Sequence, residues 1–317
     1  VAADREGAEA AGELLRRCDG WNMMLDEAFG ALAVLSGLVA ALDRLARTSG
    51  QAAWSAVRAG LAGHPLAMRL RQDPLIGRAW RRGPAGLGGD PVLGDLLLRH
   101  PDVAHLVTEA SPLGRDLHVA STGLPWPVAV RERQRVIARL ADAAAERRHG
   151  AEILAVAPGL MREAPLSLAG SGGEIARWIA LDDDAAVLAG VHRAMPVPWV
   201  QPVQADPLSA LAQAQGLGRF DLIYQKILDL WDDAAAAALV RAAVARLRPG
   251  GRLVLCNRAP DTQDGAFWSL GAGRRRCMRD EAALEAVLRA ADPARIAACR
   301  AVRTMNGVFV VGVLEAA

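Results

Sequence analysis

The spacing of hydrophobic positions changes character about halfway along the chain. Up to about residue 148 apolar residues recur at helical intervals. Between residues 4 and 47 these positions include Leu14, Leu15, Met24, Leu25, Leu32, Leu35, Leu38 and Leu42, and no proline interrupts them, so helix is predicted over the whole stretch. Thr48-Ser49-Gly50 is a stop, and a second helix is expected through about Leu61. His64-Pro65 introduces a short helix that must end before Pro74, because the residue preceding a proline is pushed out of the helical region. Residues 92 to 121 read as helix and loop, and Pro125-Trp126-Pro127 opens a long helix from Val128 to Arg148.

Beyond residue 150 the apolar residues gather into short, near-continuous runs. The strands expected are 152–157, 177–182, 199–204, 219–224 and 252–257, with helical stretches between them. Runs of this kind mark strands buried on both faces of a parallel sheet, and their alternation with helices argues for βαβ units. The tail breaks the rule: apolar stretches near 295–303 and 308–313 flank Asn306-Gly307, a strong hairpin signal. The architecture predicted is α/β, a doubly wound and mostly parallel sheet with an antiparallel C-terminal hairpin. An all-α domain over residues 1–149 precedes the sheet domain at 150–317.

Composition narrows the partners. An apolar fraction of 52% with 23% charged residues is ordinary for a globular chain of 317 residues. A net charge of +2 supplies no general attraction to nucleic acid or anionic membrane. The apolar run from Gly30 to Leu42 is short for a membrane span, and Asp26 and Asp43 bracket it. With no secretion-signal pattern at the start, the cytoplasm is the expected compartment. Cys18, Cys256, Cys277 and Cys299 are scattered, and the six histidines lack ligand-like spacing, so neither a disulfide framework nor a metal site is expected. The expected partner is a small-molecule substrate, and a homo-oligomer is compatible with the sequence.

The candidate chemistry lies where the strands end, since ligands of such sheets bind beyond the carboxyl ends. The first strand halts at Ala157-Pro158-Gly159, and the second at Asp182-Asp183-Asp184. A glycine turn after one strand and an acid after the next can receive a nucleoside: the turn admits close backbone, and a carboxylate accepts from ribose hydroxyls. These segments fit a domain binding S-adenosylmethionine (SAM), although Gly159 stands alone without a Gly-x-Gly partner. Asp182 then takes the ribose, or all three aspartates cap the next helix, with Asp184 the expected cap. Glu163 accepts from the ligand's ammonium or is first-turn helix charge. Asp206, followed by Pro207, lies level with the adenine or caps a helix. Tyr224, the only tyrosine, reaches the rim with Gln225 and is the catalytic candidate, its ring or phenol near the sulfonium. The alternative is a half-buried strand-end tyrosine.

His64-Pro65, Gln72-Asp73-Pro74, Gly86-Leu87-Gly88-Gly89-Asp90, Ala129-Val130-Arg131, Ile153-Leu154, Arg162-Glu163-Ala164, Ala180-Leu181-Asp182, Phe220 to Tyr224, Leu247 to Gly251 and Arg279-Asp280-Glu281-Ala282 occur in this order. Together they resemble the bacterial class I SAM-dependent methyltransferases that make 3-hydroxypalmitic acid methyl ester. The resemblance covers about residues 60 to 317. It implies a Rossmann-like methyltransferase sheet under a helical region, SAM as cofactor, and methyl transfer to a carboxylate such as that of a hydroxy fatty acid. It also implies a substrate or lid set of Asp73, Gly86, Gly89, Asp90 and Arg131. The glycine-dense stretch 82–90 reads as a lid or as a linker. Arg131 and Arg133 lie on one helix and either could hold an acid, although a solvated helix face is the role expected of Arg133. Where the family reads Ala-Cys-Gly-His, this chain has Ala157-Pro158-Gly159-Leu160. The altered loops motivate two alternatives: a SAM-using enzyme that transfers or cyclises the aminobutyrate arm and releases methylthioadenosine, and a SAM-binding partner subunit without catalysis.

Overall fold

The computed structural model describes residues 2–81, 90–213, 216–270 and 277–317. The chain divides into two compact units, one drawn from Val1–Leu87, Val92–Val128 and Asp261–Arg274, the other from Gly88–Pro91, Ala129–Pro260 and Arg275–Ala317. The expected boundary at 149/150 falls at the end of a long helix, whereas the units part near its start.

The helical unit comprises α1 (Ala2–Met24), α2 (Gly30–Thr48), α3 (Gln51–Ala62), α4 (Pro65–Leu70), α5 (Pro74–Arg81), α6 (Pro91–Leu98), α7 (Ala104–Thr108) and α8 (Pro112–Thr122). The continuous helix expected over 4–47 is two helices. Phe29 adopts φ 61°, in the left-handed region, and a Cβ on Gly30 would lie 2.0 Å from the Met24 carbonyl oxygen. Only glycine fits that turn. The apolar rhythm continues on both sides and hides the break.

Asp73 organises this unit from a fully buried position. Its carboxylate accepts from the Leu75 amide at 2.8 Å and from Ser121 Oγ at 2.5 Å, and it is bonded to His118 Nδ1 at 2.9 Å. The serine here faces the acid rather than the imidazole, so the trio is a packing hub and not a hydrolytic triad.

The long helix α9 (Pro125–Arg147) leads into β1 (Ala151–Val156), α10 (Leu168–Ser171), β2 (Ile175–Asp182), α11 (Ala185–Ala194), β3 (Val200–Gln204), α12 (Pro207–Ala212), β4 (Phe220–Gln225), α13 (Asp233–Val244) and β5 (Leu247–Arg258). Next come α14 (Gly265–Ser269), which belongs to the helical unit, α15 (Glu281–Leu288), β6 (Ile296–Arg303) and β7 (Phe309–Ala316). The seven strands run in the order β3-β2-β1-β4-β5-β7-β6. Pairings through β5 are parallel, and β7 lies antiparallel between β5 and β6. This is the Rossmann-like methyltransferase fold, with the C-terminal hairpin as expected.

Strand side chains alternate between faces. Ile153, Ala155, Trp178 and Tyr224 pack with Ile137 and Ala141 of α9 and with Leu188 and Val191 of α11. Leu154, Val156, Ile223 and Leu255 pack with Leu211 of α12, Leu239 and Val240 of α13 and Leu284 of α15. At the amino ends of the strands, Glu152 accepts from Arg177 and, at 2.7 Å, from Arg248. Arg248 also donates to Asp221 at 2.8 Å, which closes that rim with ion pairs.

One connection departs from the expected helix–strand alternation. Between β1 and β2 lie only a 3-10 turn at Ala164–Leu166 and the four-residue α10. Pro158, Pro165 and the glycines at 170, 172 and 173 remove the donors and rigidity a longer helix needs. Asp142 of α9 holds the short segment, accepting from Ser167 Oγ at 2.6 Å and from the Ala169 amide at 3.0 Å.

Candidate functional site

The carboxyl ends of β1, β2, β3 and β4 bring most of the expected site residues to one rim. Val156 pairs with Leu181 and with Gln225, so Ala157, Asp182 and Lys226 leave neighbouring strands at the same level. The Ala157 amide still donates to the Leu181 carbonyl at 3.0 Å. The chain then takes left-handed φ at alternate residues: 48° at Ala157, 58° at Gly159 and 53° at Met161. For Ala157 and Met161 such a conformation costs about 1–3 kcal/mol each, so something must hold the loop. Gly159 faces outward: a Cβ there would meet nothing within 4 Å. Met161 is buried. Leu160 turns towards α11, where a Cβ on Gly190 would come within 2.7 Å of it.

What holds the loop is Glu163. Its carboxylate has no exposure and accepts three hydrogen bonds, from Tyr224 Oη at 2.6 Å and from Lys226 Nζ at 2.7 and 2.6 Å. The Tyr224 hydroxyl in turn accepts from Trp178 Nε1 at 3.1 Å. A buried ion pair is thereby surrounded by hydrogen bonds, the condition under which burying two charges is tolerated. Burial pushes the Lys226 ammonium down from its ordinary value, with Glu163 opposing the shift. Burial, and then the charge of Glu163, push the Tyr224 phenol well up.

Two expectations change here. Glu163 stands at the N-cap of a 3-10 helix of three residues, but its side chain does not cap it, and it presents no oxygen to the rim, since Lys226 and Tyr224 enclose both. Tyr224 is completely buried and its hydroxyl is engaged on both sides. That geometry departs from a phenol beside a reacting methyl, because β4 directs the side chain into the α9 face of the sheet.

Asp182 ends β2 with 9% exposure. Its Oδ1 accepts from the Asp184 amide at 3.0 Å, and its backbone carbonyl accepts from Ala205 at 3.0 Å. Burial, as the largest cause, raises its carboxyl above the ordinary value, and the charges of Asp183 and Asp184 add to the rise. Asp184 caps α11 through the Ala186 amide at 2.8 Å, the role expected of it. Asp183 is exposed. Asp206 caps α12, accepting from Ser209 at 2.8 Å; that bond, with Pro207 buried at the first helical position, satisfies the capping alternative. Gln225 is buried, and its Oε1 accepts from the Ile227 amide at 2.6 Å.

Of the residues assigned to a lid, Asp73 is the hub of the helical unit and Asp90 is buried just before α6. Gly86 and Gly89 lie outside the described residues. Arg131 is half-buried on α9. The residue that sequence reasoning ranked wrongly is its neighbour Arg133. It is no solvated helix-face residue: Nη1 donates to the Lys226 carbonyl at 2.7 Å, and the guanidinium lies 4.5 Å from the centre of the Phe309 ring. Burial pushes Arg133 below its usual value, opposed by Cys256, Asp229 and Glu163. Only its spacing beside Arg131 hinted at this.

No protein-family model matches the chain, and no curated protein matches it. Among solved structures, a possible exported protein from Bordetella parapertussis aligns over 98% of this chain and 96% of its own at 17% identity, with a TM-score of 0.57. That likeness concerns the fold. The SAM-dependent methyltransferase SibL aligns over 98% of this chain and 96% of its own at 16% identity and TM-score 0.46. The N-methyltransferase NodS from Bradyrhizobium japonicum covers 59% of this chain and 95% of its own at 16% identity and TM-score 0.40. Those two alignments are too loose to bear on ligand or reaction. Among the described residues, no helix is long and apolar enough to cross a membrane.

Proposed function

We propose that the protein is a SAM-dependent methyltransferase acting on a small molecule that carries a carboxylate, in the cytoplasm. The observation that carries the reading is the pairing, on adjacent strand ends, of an outward-facing left-handed Gly159 with the largely buried carboxylate of Asp182. The donor set fits the nucleoside half of SAM: Asp182 accepts from ribose hydroxyls, and Gly159 lets backbone approach the ligand. The fit at the amino-acid half is different from the one expected, because Glu163 is committed to Lys226. Its part is to position the loop, and Tyr224 shares that part.

SAM, when bound, supplies a methyl group already activated on a sulfonium. An ionised carboxylate acceptor would take that methyl group, and the electron pair of the broken C–S bond would stay on sulfur as S-adenosylhomocysteine. No proton has to be removed, so the protein's task is to align the two and exclude water. A hydroxy fatty acid is an acceptor of this kind, and the motif resemblance supports it.

Calorimetry with SAM tests the cofactor. Asp182→Asn should weaken SAM binding about ten- to a hundredfold, the loss expected for charge-assisted bonds. Its melting midpoint should be equal or higher. A carboxyl raised in the folded state gains stability below the unfolded value of 3.8 and loses it as pH rises through the folded value, so ionised Asp182 costs stability at neutral pH. Release of S-adenosylhomocysteine supports methyl transfer; release of methylthioadenosine instead would identify the aminobutyrate chemistry. Unchanged SAM affinity in the variant removes the basis of the proposal.

A further inference from the structure

Arg133 is half-buried at the rim where β4 ends. Arginines of the same unit show what their guanidinium edges do when a carboxylate is near. Arg279 grips Asp233 through Nε at 2.9 Å and Nη2 at 2.7 Å. Arg303 reaches Glu281 through Nε at 3.0 Å and Nη2 at 3.2 Å. In both, the Nε–Nη2 edge is the two-pronged donor that matches a planar oxyanion.

Arg133 is oriented but not paired. Phe309 supports one face of the guanidinium, and the Lys226 carbonyl fixes Nη1. Nε is buried and, among the described residues, has no hydrogen-bond partner. Among the described residues no carboxylate forms an ion pair with it, because Glu163 is taken by Lys226. A buried donor left without an acceptor is costly unless a ligand supplies one. The restraint on Nη1 also fixes the direction in which the Nε–Nη2 edge points.

We propose that the Nε–Nη2 edge of Arg133 receives the carboxylate of a ligand bound at the ends of β1 and β4. Within the methyltransferase reading, on which the identity of that ligand rests, there are two sources. One is the amino-acid carboxylate of the cofactor, left without its expected neighbour Glu163. The other is the carboxylate of the acceptor.

Binding to the full-length protein, measured by calorimetry, separates them. The probes are S-adenosylhomocysteine, methylthioadenosine (the same nucleoside without the amino acid), and straight-chain monocarboxylates from acetate to hexadecanoate with the matching alcohols. Arg133→Met keeps the apolar stem, and Arg135→Met, an exposed neighbour on the same helix, controls for loss of charge. If the cofactor is the source, Arg133→Met weakens S-adenosylhomocysteine about ten- to a hundredfold and leaves methylthioadenosine unchanged. If the acceptor is the source, S-adenosylhomocysteine is unchanged, and a carboxylate loses affinity that its alcohol does not. Should Arg133→Met misfold, Arg133→Lys carries the test, since lysine keeps the charge without the fork. The inference is overturned if no carboxylate ligand is weakened selectively, or if the wild-type protein binds none of them. Absent nucleoside binding with a monocarboxylate still held through Arg133 would sink the methyltransferase reading and leave this inference standing.

Discussion

Replacing Lys226 by methionine removes the ammonium that donates to both Glu163 oxygens, at 2.7 and 2.6 Å, and leaves that carboxylate fully buried with Tyr224 as its remaining donor. Removing one partner of a buried pair costs about 3–5 kcal/mol, mostly the penalty of the charge left behind. Glu163→Gln, which strands the ammonium instead, should cost a similar amount. At about 2–4 °C per kcal/mol for a unit of this size, each single variant should melt about 6–20 °C lower. The Glu163→Gln/Lys226→Met double variant buries no charge and should be more stable than either single one. Urea unfolding followed by circular dichroism, extrapolated linearly to water, yields the coupling energy, expected to exceed about 3 kcal/mol in this double-mutant cycle. Two small, additive losses below about 1 kcal/mol would mean that the pair is hydrated in solution, and would refute the claim that it holds the loop. Cofactor affinity in the double variant adds a separate reading: if the pair's geometry sets the left-handed loop, affinity stays low although stability returns.

Tyr224→Phe should lower stability by about 1–3 kcal/mol, since it strips a donor from Glu163 and an acceptor from Trp178, while leaving turnover within a few-fold of the wild type. A collapse in kcat at unchanged KM and unchanged melting would return the phenol to the catalytic role expected from sequence. In the helical unit, Gly114→Ala places a Cβ 2.4 Å from the Gln72 carbonyl oxygen and should lower the melting midpoint by several degrees. A variant as stable as the wild type would show that α8 can shift away from the α4–α5 turn.

The sheet was legible because burial on both faces writes itself into apolar runs: all five parallel strands lie within a few residues of where the runs predict them, apart from the longer start of β5. Asn306-Gly307 likewise announced the antiparallel hairpin, and Asp184 its cap. The site was legible only as far as it depends on strand ends. Asp182 and Gly159 follow from where β1 and β2 stop. The roles of Glu163 and Tyr224 were not legible, because a periodic pattern reports burial of a position, not the partner its side chain finds. Lys226 leaves the end of β4 at the rim, yet its nitrogen turns back to Glu163, 63 positions earlier in the chain. Arg131 and Arg133 are two residues apart on one helix and differ by their rotation about its axis, so composition could not rank them.

The shortened β1–β2 connection explains why so much depends on that pair. Where a helix follows a ligand loop directly, its hydrogen-bonded first turn orders the amides that face the ligand. Here Pro158 and Pro165 exclude such a helix, and two non-glycine residues are held at positive φ. The order must therefore come from side chains, and Glu163 is the point where the loop is fastened to β4. Glutamate fits this position because its carboxylate can accept three hydrogen bonds at once, from Tyr224 of β4 and from Lys226 just beyond its end. The same fastening withdraws the acid from any ligand, so recognition of a charged ligand group passes to residues that the fastening itself orients. Arg133, bonded to the carbonyl of Lys226, is the residue in that position.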